Sequence, residues 1–543
     1  MTIKHVLTAV SAATLVCVLT ACGGGSSADN QGTVSASPSP ARGDLLQNPP
    51  PRITSLTAAD LTASLKASPT GQGLLAVAGT PSCGVDVQYI QYGTVGGADE
   101  ATDASGVLMT PSGGASCTGA RPVVLYAHGT TTAKNYNLAN LSDNTNAAYG
   151  EAILIAATYA AQGFIVVAPN YAGYDSSKLS YTPYLNADQS AKEMQDALAA
   201  ARKALPGLLQ PVQDSGKLFI TGYSQGGHVA MATHKAMQAA GQTVTASAPM
   251  SGPYALAAFG DAIFYGNVNL GSTLFTPLQV NSYQKAYGNL YTSLTDIFEA
   301  PYAAGIDTLL PTNTPYTALF TQGKLPQTAL FNRVPPTAPA GAPPSLQPTL
   351  NAITPPTTPA AQAPLFALGF GTNNLITNNA RLSYLLDAIA NPDGAVPAVT
   401  TGAQASTPAN TLRIALKKND LRNWQPKSPV LLCGGNSDPT VYFGLNTQLM
   451  QGFWSAPSPA ALPAGLLTVV DVDSSPTSAA DPFAAAKVGF GQAKGQTAQA
   501  AVAAGATDGG ASAVIQNYHG GLVPPFCNAT ARGFFQQVLA ASK

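Results

Sequence analysis

The chain has 543 residues, enough for one large domain with insertions or for two domains. Its 25 basic and 26 acidic side chains nearly cancel, and charged residues make up only 9% of the whole. That balance excludes the basic field that would hold nucleic acid, so no nucleic-acid partner is expected. Low charge density suits an exported protein that meets apolar or uncharged substrates.

Residues 1–21 carry Lys4 and His5 ahead of an apolar run too short to span a bilayer comfortably, which reads as a signal peptide. The run closes on Leu19-Thr20-Ala21-Cys22, which resembles the lipobox of bacterial lipoproteins. That resemblance implies cleavage before Cys22, lipid on its thiol and a membrane partner reached through the anchor. Gly23 after the cysteine resembles the pattern that sorts such proteins to an outer membrane. The alternative is a plain secretory signal with a chance cysteine. Either way the product is expected to be exported, lipid-anchored at the envelope or secreted. Residues 22–52, rich in Gly, Ser and Pro, are expected to form a flexible tether.

With Cys17 removed and Cys22 lipidated, Cys83, Cys117, Cys433 and Cys527 remain. An even count in an oxidising compartment reads as disulfides. Three pairings are open. Cys83–Cys117 and Cys433–Cys527 each join residues of one neighbourhood in the fold inferred below, and that pairing is expected. Neither a Cys-x-x-Cys nor a His cluster suggests a metal site, and no cofactor is implied.

Residues 85–92 and 104–110 alternate in polarity as a pair of antiparallel edge strands. Residues 122–128 (PVVLYAH) and 163–169 (GFIVVAP) are continuous apolar runs, expected as fully buried strands, with a helix over 146–162 between them. Residues 188–205 read as a charged amphipathic helix. The stretch 217–241, KLFITGYSQGGHVAMATHKAMQAAG, begins with a short apolar strand. It continues through Gly222-Tyr223-Ser224-Gln225-Gly226-Gly227 into a run of helix formers that stops at Gly241. Another strand is expected over 244–250.

The alternation then stops. Residues 254–405 hold aromatic-rich helical pieces, such as 291–302 and 382–389, around a Pro/Ala stretch at 335–364 that is expected to form neither regular helix nor sheet. This block reads as an inserted cap between a first part of the body at 53–253 and a second part at 406–543. Strand 429–433, helix 441–454, strand 466–472 and a closing helix over 528–541 resume the pattern, and 474–512 carries little signal. Strands alternating with helices imply an α/β fold with a mostly parallel sheet.

Strand, G-x-S-x-G and helix together define a nucleophile elbow. The turn has no room for side chains two places either side of the serine, and Gly222 and Gly226 remove the Cβ atoms that would clash. A serine hydroxyl is a poor nucleophile unless a base takes its proton, and in this arrangement an acid and then a histidine follow it in chain order. His519 is the histidine downstream, in a Gly-rich segment expected to be a loop after the last strand. Asp438, in the turn after strand 429–433, is the expected acid; it would fix the histidine tautomer and stabilise the imidazolium. Asp471 and Asp473 are the rivals, and Asp438 could instead cap the next helix. His228 reads as a packing residue and His234 as solvated. The oxyanion of the tetrahedral intermediate needs two donors. These are assigned to the backbone N–H groups of Gln225 and of Thr130, with His128 and Gly129 bracing the latter's turn.

His128-Gly129, the Gly222–Gly227 elbow, Asp438 and His519 together resemble the α/β-hydrolase superfamily, and more narrowly the secretory, lipase A-like family of lipases and esterases. The resemblance covers roughly 80–260 and 410–541 and implies an α/β-hydrolase fold with a largely helical cap. It implies a serine-dependent carboxylic ester hydrolase working through an acyl-enzyme. Phe298, Tyr302, Phe320 and Phe331 in the cap suggest an apolar or aromatic acyl group, or are simply the cap's own core. Two other readings are a peptidase on the same fold and a surface lipoprotein that only binds. No acidic pair suited to an amino terminus is evident for the first, and the second predicts a broken triad.

Overall fold

The computed structural model describes residues 40–209, 212–456 and 461–541. The expected signal peptide, the Cys22 lipidation site and the tether as far as residue 39 lie outside the described residues. Strands β1 (Arg52–Leu56), β2 (Gly84–Val95), β3 (Ala101–Ser112), β4 (Gly119–Ala127) and β5 (Ile165–Pro169) precede the elbow strand β6 (Val212–Tyr223), and β7 (Ala246–Met250) follows it. Two short strands, β8 (Phe331–Asn332) and β9 (Phe370–Gly371), pair in parallel within the cap. β10 (Val430–Gly434) and β11 (Leu467–Asp471) complete the main sheet.

That sheet has the order β1-β2-β3-β5-β4-β6-β7-β10-β11. β1, β2 and β3 are antiparallel to their neighbours, and the six strands from β5 to β11 run parallel. The centre is mainly apolar: Val124, Leu125, Val166, Phe219 and Ile220 are fully buried, as strands covered on both faces require. Helices Ala187–Ala204 and Gln225–Ala239 pack side by side, and helices Pro69–Ala78, Tyr149–Thr158 and Val523–Ala541 form a second group. Together these elements make an α/β-hydrolase fold. Among the described residues no helix is long and apolar enough to cross a membrane.

Several elements depart from the sequence reading. The pair β2/β3 is not the sheet's edge, because β1 lies outside it. Residues 40–52 are not a free tether. Arg42 pairs with Asp196 at 3.0 Å, and the N–H groups of Gly43 and Leu46 donate to Gly93 and Gln91. A polar, Pro-rich segment can lie along a sheet edge through backbone bonds, which composition does not register. Within the Pro/Ala stretch the helix Leu346–Ala352 forms, since its Pro348 falls in the first turn, where no N–H is missed. Residues 291–302, expected to be helical, hold only two short turns, Leu294–Asp296 and Ala300–Ala303. A long helix, Ala484–Ala503, occupies the stretch that carried little signal.

The cap has its own core, formed by Leu278, Tyr283, Phe298, Phe331, Leu350 and Leu385 among others. Helix Thr411–Asn419, assigned to the body from sequence, packs on this unit. Its buried Arg413 reaches Asp261 and Asp387 at 2.8 Å each. A second buried cation, Arg422, pairs with Asp393 at 2.7 Å and Asp420 at 2.8 Å. Removing one partner of such a pair leaves an uncompensated buried charge, which makes the joint costly to break.

Two disulfides are present, Cys83–Cys117 and Cys433–Cys527. The first ties the start of β2 to the start of β4, at the far end of β4 from His128. It closes a loop with a sequence separation of 34. Replacing both cysteines with serine should lower the unfolding free energy by up to about 4 kcal/mol. Denaturant unfolding checks this, and an unchanged midpoint would show that the bridge adds nothing.

Candidate active site

Ser224 sits at φ +60° and ψ −122°, between the last residue of β6 and the first of helix Gln225–Ala239. A non-glycine residue at that φ is held only where its surroundings over-determine it. Here they do. The Ser224 N–H donates to the Met250 carbonyl at the end of β7 (3.0 Å), and the Ser224 carbonyl accepts from Gly227 at 2.9 Å. A Cβ on Gly226 would stand 1.9 Å from the Ala127 carbonyl oxygen, and one on Gly222 would stand 2.4 Å from that of Gly226. The two glycines let β4, β6 and the helix start approach backbone to backbone, and the serine is left at the tip.

The three expected residues come together there. His519 Nε2 lies 2.7 Å from Ser224 Oγ, and His519 Nδ1 lies 2.6 Å from Asp438 Oδ2. Asp438 is buried, and its other oxygen, Oδ1, accepts the N–H groups of Thr440 (2.9 Å) and Val441 (3.0 Å). Oδ1 thus braces the turn that follows while Oδ2 faces the histidine; Asp438 caps no helix, since the next helical turn begins only at Gly444. Asp471 and Asp473 are engaged elsewhere. Asp471 accepts the Asn436 N–H at 3.1 Å and its side-chain amide at 2.8 Å, and Asp473 accepts the Tyr518 hydroxyl at 2.6 Å.

His519 is not in a loop. It belongs to a π-helical turn, Tyr518–Leu522, between helices Ala511–Asn517 and Val523–Ala541. Its glycines read as a loop, but one wide turn carries the chain straight into the closing helix; Pro524 and Pro525 supply no N–H to that turn, and the His519 carbonyl accepts the Tyr223 hydroxyl. Cys433, at the end of β10, is bonded to Cys527 in that helix, so the strand that leads to the acid is tied to the helix that follows the base.

The oxyanion turn is anchored by a residue that carried no sequence signal. Glu151 accepts the Gly129 N–H at 3.1 Å, the Tyr126 hydroxyl at 2.8 Å and the Tyr136 hydroxyl at 2.6 Å. His128 is fully buried, stacked between Tyr136 and Tyr171, with its ring nitrogens on the carbonyls of Gly129 (2.6 Å) and Asn170 (3.1 Å). Burial pushes its pKa down, and the ring braces the turn between the two carbonyls. The N–H groups of Thr130 and Gln225 donate to no group among the described residues, and both residues line the pocket with Ser224. Thr130 Oγ1 meets the Tyr184 hydroxyl at 2.9 Å. Just beyond, the Thr312 N–H of the cap donates to Thr132 (2.8 Å) and its carbonyl accepts from Lys134 (3.0 Å), so the cap is stitched to the same turn.

His228 packs as expected, fully buried with Nε2 2.8 Å from the Asn419 carbonyl. His234 is not solvated. It is 1% exposed and lies between Ser247 Oγ (2.8 Å) and Ser428 Oγ (3.0 Å). Burial lowers both imidazoles to about 4.

A small pocket opens at Ser224. Its apolar wall comes from Leu256, Phe259, Ile263, Phe275, Leu416 and Val441, and among the described residues no charged side chain lines it. The aromatic residues singled out in the cap do not reach it: Phe298 and Phe331 are buried in the cap core, with Tyr302 and Phe320 packed against it. Among the described residues no three His, Cys, Asp or Glu side chains converge as a metal would require.

Fold and site together define a serine hydrolase on an α/β-hydrolase fold. The model of the prolyl oligopeptidase family matches residues 152–269, a span that includes the elbow. A solved structure of a rice cell wall degrading esterase LipA from Xanthomonas oryzae is 28% identical at a TM-score of 0.58, over 83% of this chain and 95% of that one. A ligand-bound form of that esterase aligns over 93% and 100% of the two chains at 24% identity and a TM-score of 0.61. A putative hydrolase from Legionella pneumophila aligns over 91% and 98% at 17% identity and a TM-score of 0.56. At those last two identities the likeness is one of fold. No curated protein sequence matches the chain.

The geometry separates the three carboxylates. Asp438→Asn should lower turnover by about 10⁴-fold, as loss of a triad carboxylate does elsewhere, and Asp471→Asn by far less. Steady-state kinetics on an ester substrate checks this, and a crippled Asp471→Asn beside an active Asp438→Asn would reverse the assignment.

Proposed function

We propose that the chain is a carboxylic ester hydrolase with Ser224 as nucleophile, His519 as general base and then acid, and Asp438 as the residue that orients and charges the histidine. The observation that carries this is the unbroken chain from Asp438 Oδ2 through both His519 nitrogens to Ser224 Oγ at the mouth of an apolar pocket. Ser224 attacks the ester carbonyl as His519 takes its proton. The N–H groups of Thr130 and Gln225 hold the oxyanion. His519 then returns the proton to the leaving alkoxide, and water repeats the sequence on the acyl-enzyme.

The uncharged lining supports an apolar or aromatic acyl group, since a free ammonium or carboxylate would be desolvated there without a partner. The 28% likeness to an esterase supports the same chemistry. A peptidase is the second reading, favoured by the prolyl oligopeptidase family match alone. The three side chains in hydrogen-bond register argue against a fold that only binds. The two disulfides fit an exported protein, and anchoring through lipid on Cys22 remains part of the proposal.

Purified protein should hydrolyse a series of p-nitrophenyl esters with a chain-length optimum, and should leave peptide p-nitroanilides intact. Ser224→Ala should lower ester turnover by at least about 10⁴-fold. Faster cleavage of the anilides than of the esters would replace the ester reading with the peptidase one.

A further inference from the structure

Two tyrosines, each one residue from a triad member, tie the three catalytic segments to one another. The hydroxyl of Tyr223, which precedes Ser224, donates to the His519 carbonyl at 2.7 Å. The hydroxyl of Tyr518, which precedes His519, donates to Asp473 Oδ2 at 2.6 Å and accepts the N–H of Ser437, the residue before Asp438, at 3.2 Å. Ser437 is exposed, and the turn that carries it is otherwise held on this side by Asn436, which donates to the Asp471 carboxylate and, at 3.2 Å, to the Asp473 carbonyl.

The phenol is built into place. Tyr518 is buried, with Phe490 edge-on to its ring at 5.5 Å. Its single proton goes to Asp473, which leaves an oxygen lone pair for the Ser437 N–H. Burial and the Asp473 carboxylate push the phenol far above its usual range, so it stays a donor. Lys494 pairs with the other Asp473 oxygen. Room for the hydroxyl is made by Gly435, where a Cβ would stand 2.5 Å from it.

We propose that Tyr518, fixed by Asp473, is a positioning residue that sets the distance between the acid turn and His519. The proposal rests on the assignment of Ser224, Asp438 and His519 as the catalytic residues. Tyr518 touches no reacting atom; it acts through the backbone on either side. Displacements of about 1 Å at a catalytic site cost ~100-fold in rate, so the loss of this strut should appear in kcat and not in KM, because the pocket is lined by other residues.

The test uses the full chain and a p-nitrophenyl ester. Tyr518→Phe keeps the ring against Phe490 and removes the hydroxyl; kcat should fall roughly 10- to 100-fold with KM within about twofold and thermal unfolding near that of the parent. Asp473→Ala, which leaves the ring untouched, carries the same expectation, and Asp473→Asn, which keeps an acceptor oxygen, should recover much of the loss. The Tyr518→Phe/Asp473→Ala double variant should be no slower than the worse single one, since both remove one strut. A parental kcat in Tyr518→Phe or Asp473→Ala, fully additive losses, or losses that track only the unfolded fraction would overturn the proposal. Ser224→Ala, measured beside them, separates the two levels. If it retains turnover, the catalytic assignment falls and this inference with it. If it is inactive while Tyr518→Phe is unaffected, the inference alone falls.

Discussion

The structure depends on one close approach, that of the elbow backbone to the ends of β4 and β7. Ser224 is held at φ +60° because Gly222 and Gly226 admit the carbonyl of Ala127, and because Met250 takes the serine's own N–H. That N–H is thereby unavailable to an oxyanion, and the next one, of Gln225, is left free at the helix start. The same approach sets Gly129 and Thr130 beside the serine, where Glu151 engages the Gly129 N–H and leaves that of Thr130 free. The elbow serine and the two free N–H groups are thus products of one backbone packing, with no side chain of the pocket needed to build them.

Acid and base come from the far end of the chain, beyond the cap, and their alignment has a different origin. Hydrogen bonds and one disulfide hold them: Cys433–Cys527 at the buried end of β10, Tyr518 and Asn436 behind the acid turn, and Tyr223 on the carbonyl of His519. The cap, which lies in sequence between the elbow and the acid turn, is fastened by the buried Arg422–Asp393 pair and by backbone bonds from Thr312 to the turn after β4. A cap joined to that turn supplies most of the apolar wall of the pocket.

Where one short segment decides the outcome, the sequence was legible. The glycines around Ser224 state a steric need that only one backbone geometry answers. The apolar runs 122–128 and 163–169 state burial on both faces, and they became β4 and β5. The identities of Asp438 and His519 followed from chain order and from how few histidines were available. What was not legible depends on partners distant in sequence. His234 looked exposed because its neighbours in sequence are polar, yet Ser247 and Ser428 close over it. Glu151 lies on a helix with nothing to mark it, and it matters only because Gly129 and two tyrosines converge on its carboxylate. Helix Thr411–Asn419 belongs with the cap because its Arg413 meets Asp261, 152 residues earlier in the chain. The Gly-rich flank of His519 suggested a loop because a π-helical turn has no simple residue pattern.

The central claim is that Ser224 is the nucleophile activated by His519. The most direct measurement is covalent labelling with a fluorophosphonate followed by peptide mapping of the adduct. One adduct per chain on the peptide that contains Ser224, absent from His519→Ala under the same exposure, is the predicted result. An adduct on another serine, or labelling of Ser224 that proceeds equally fast without His519, would contradict it.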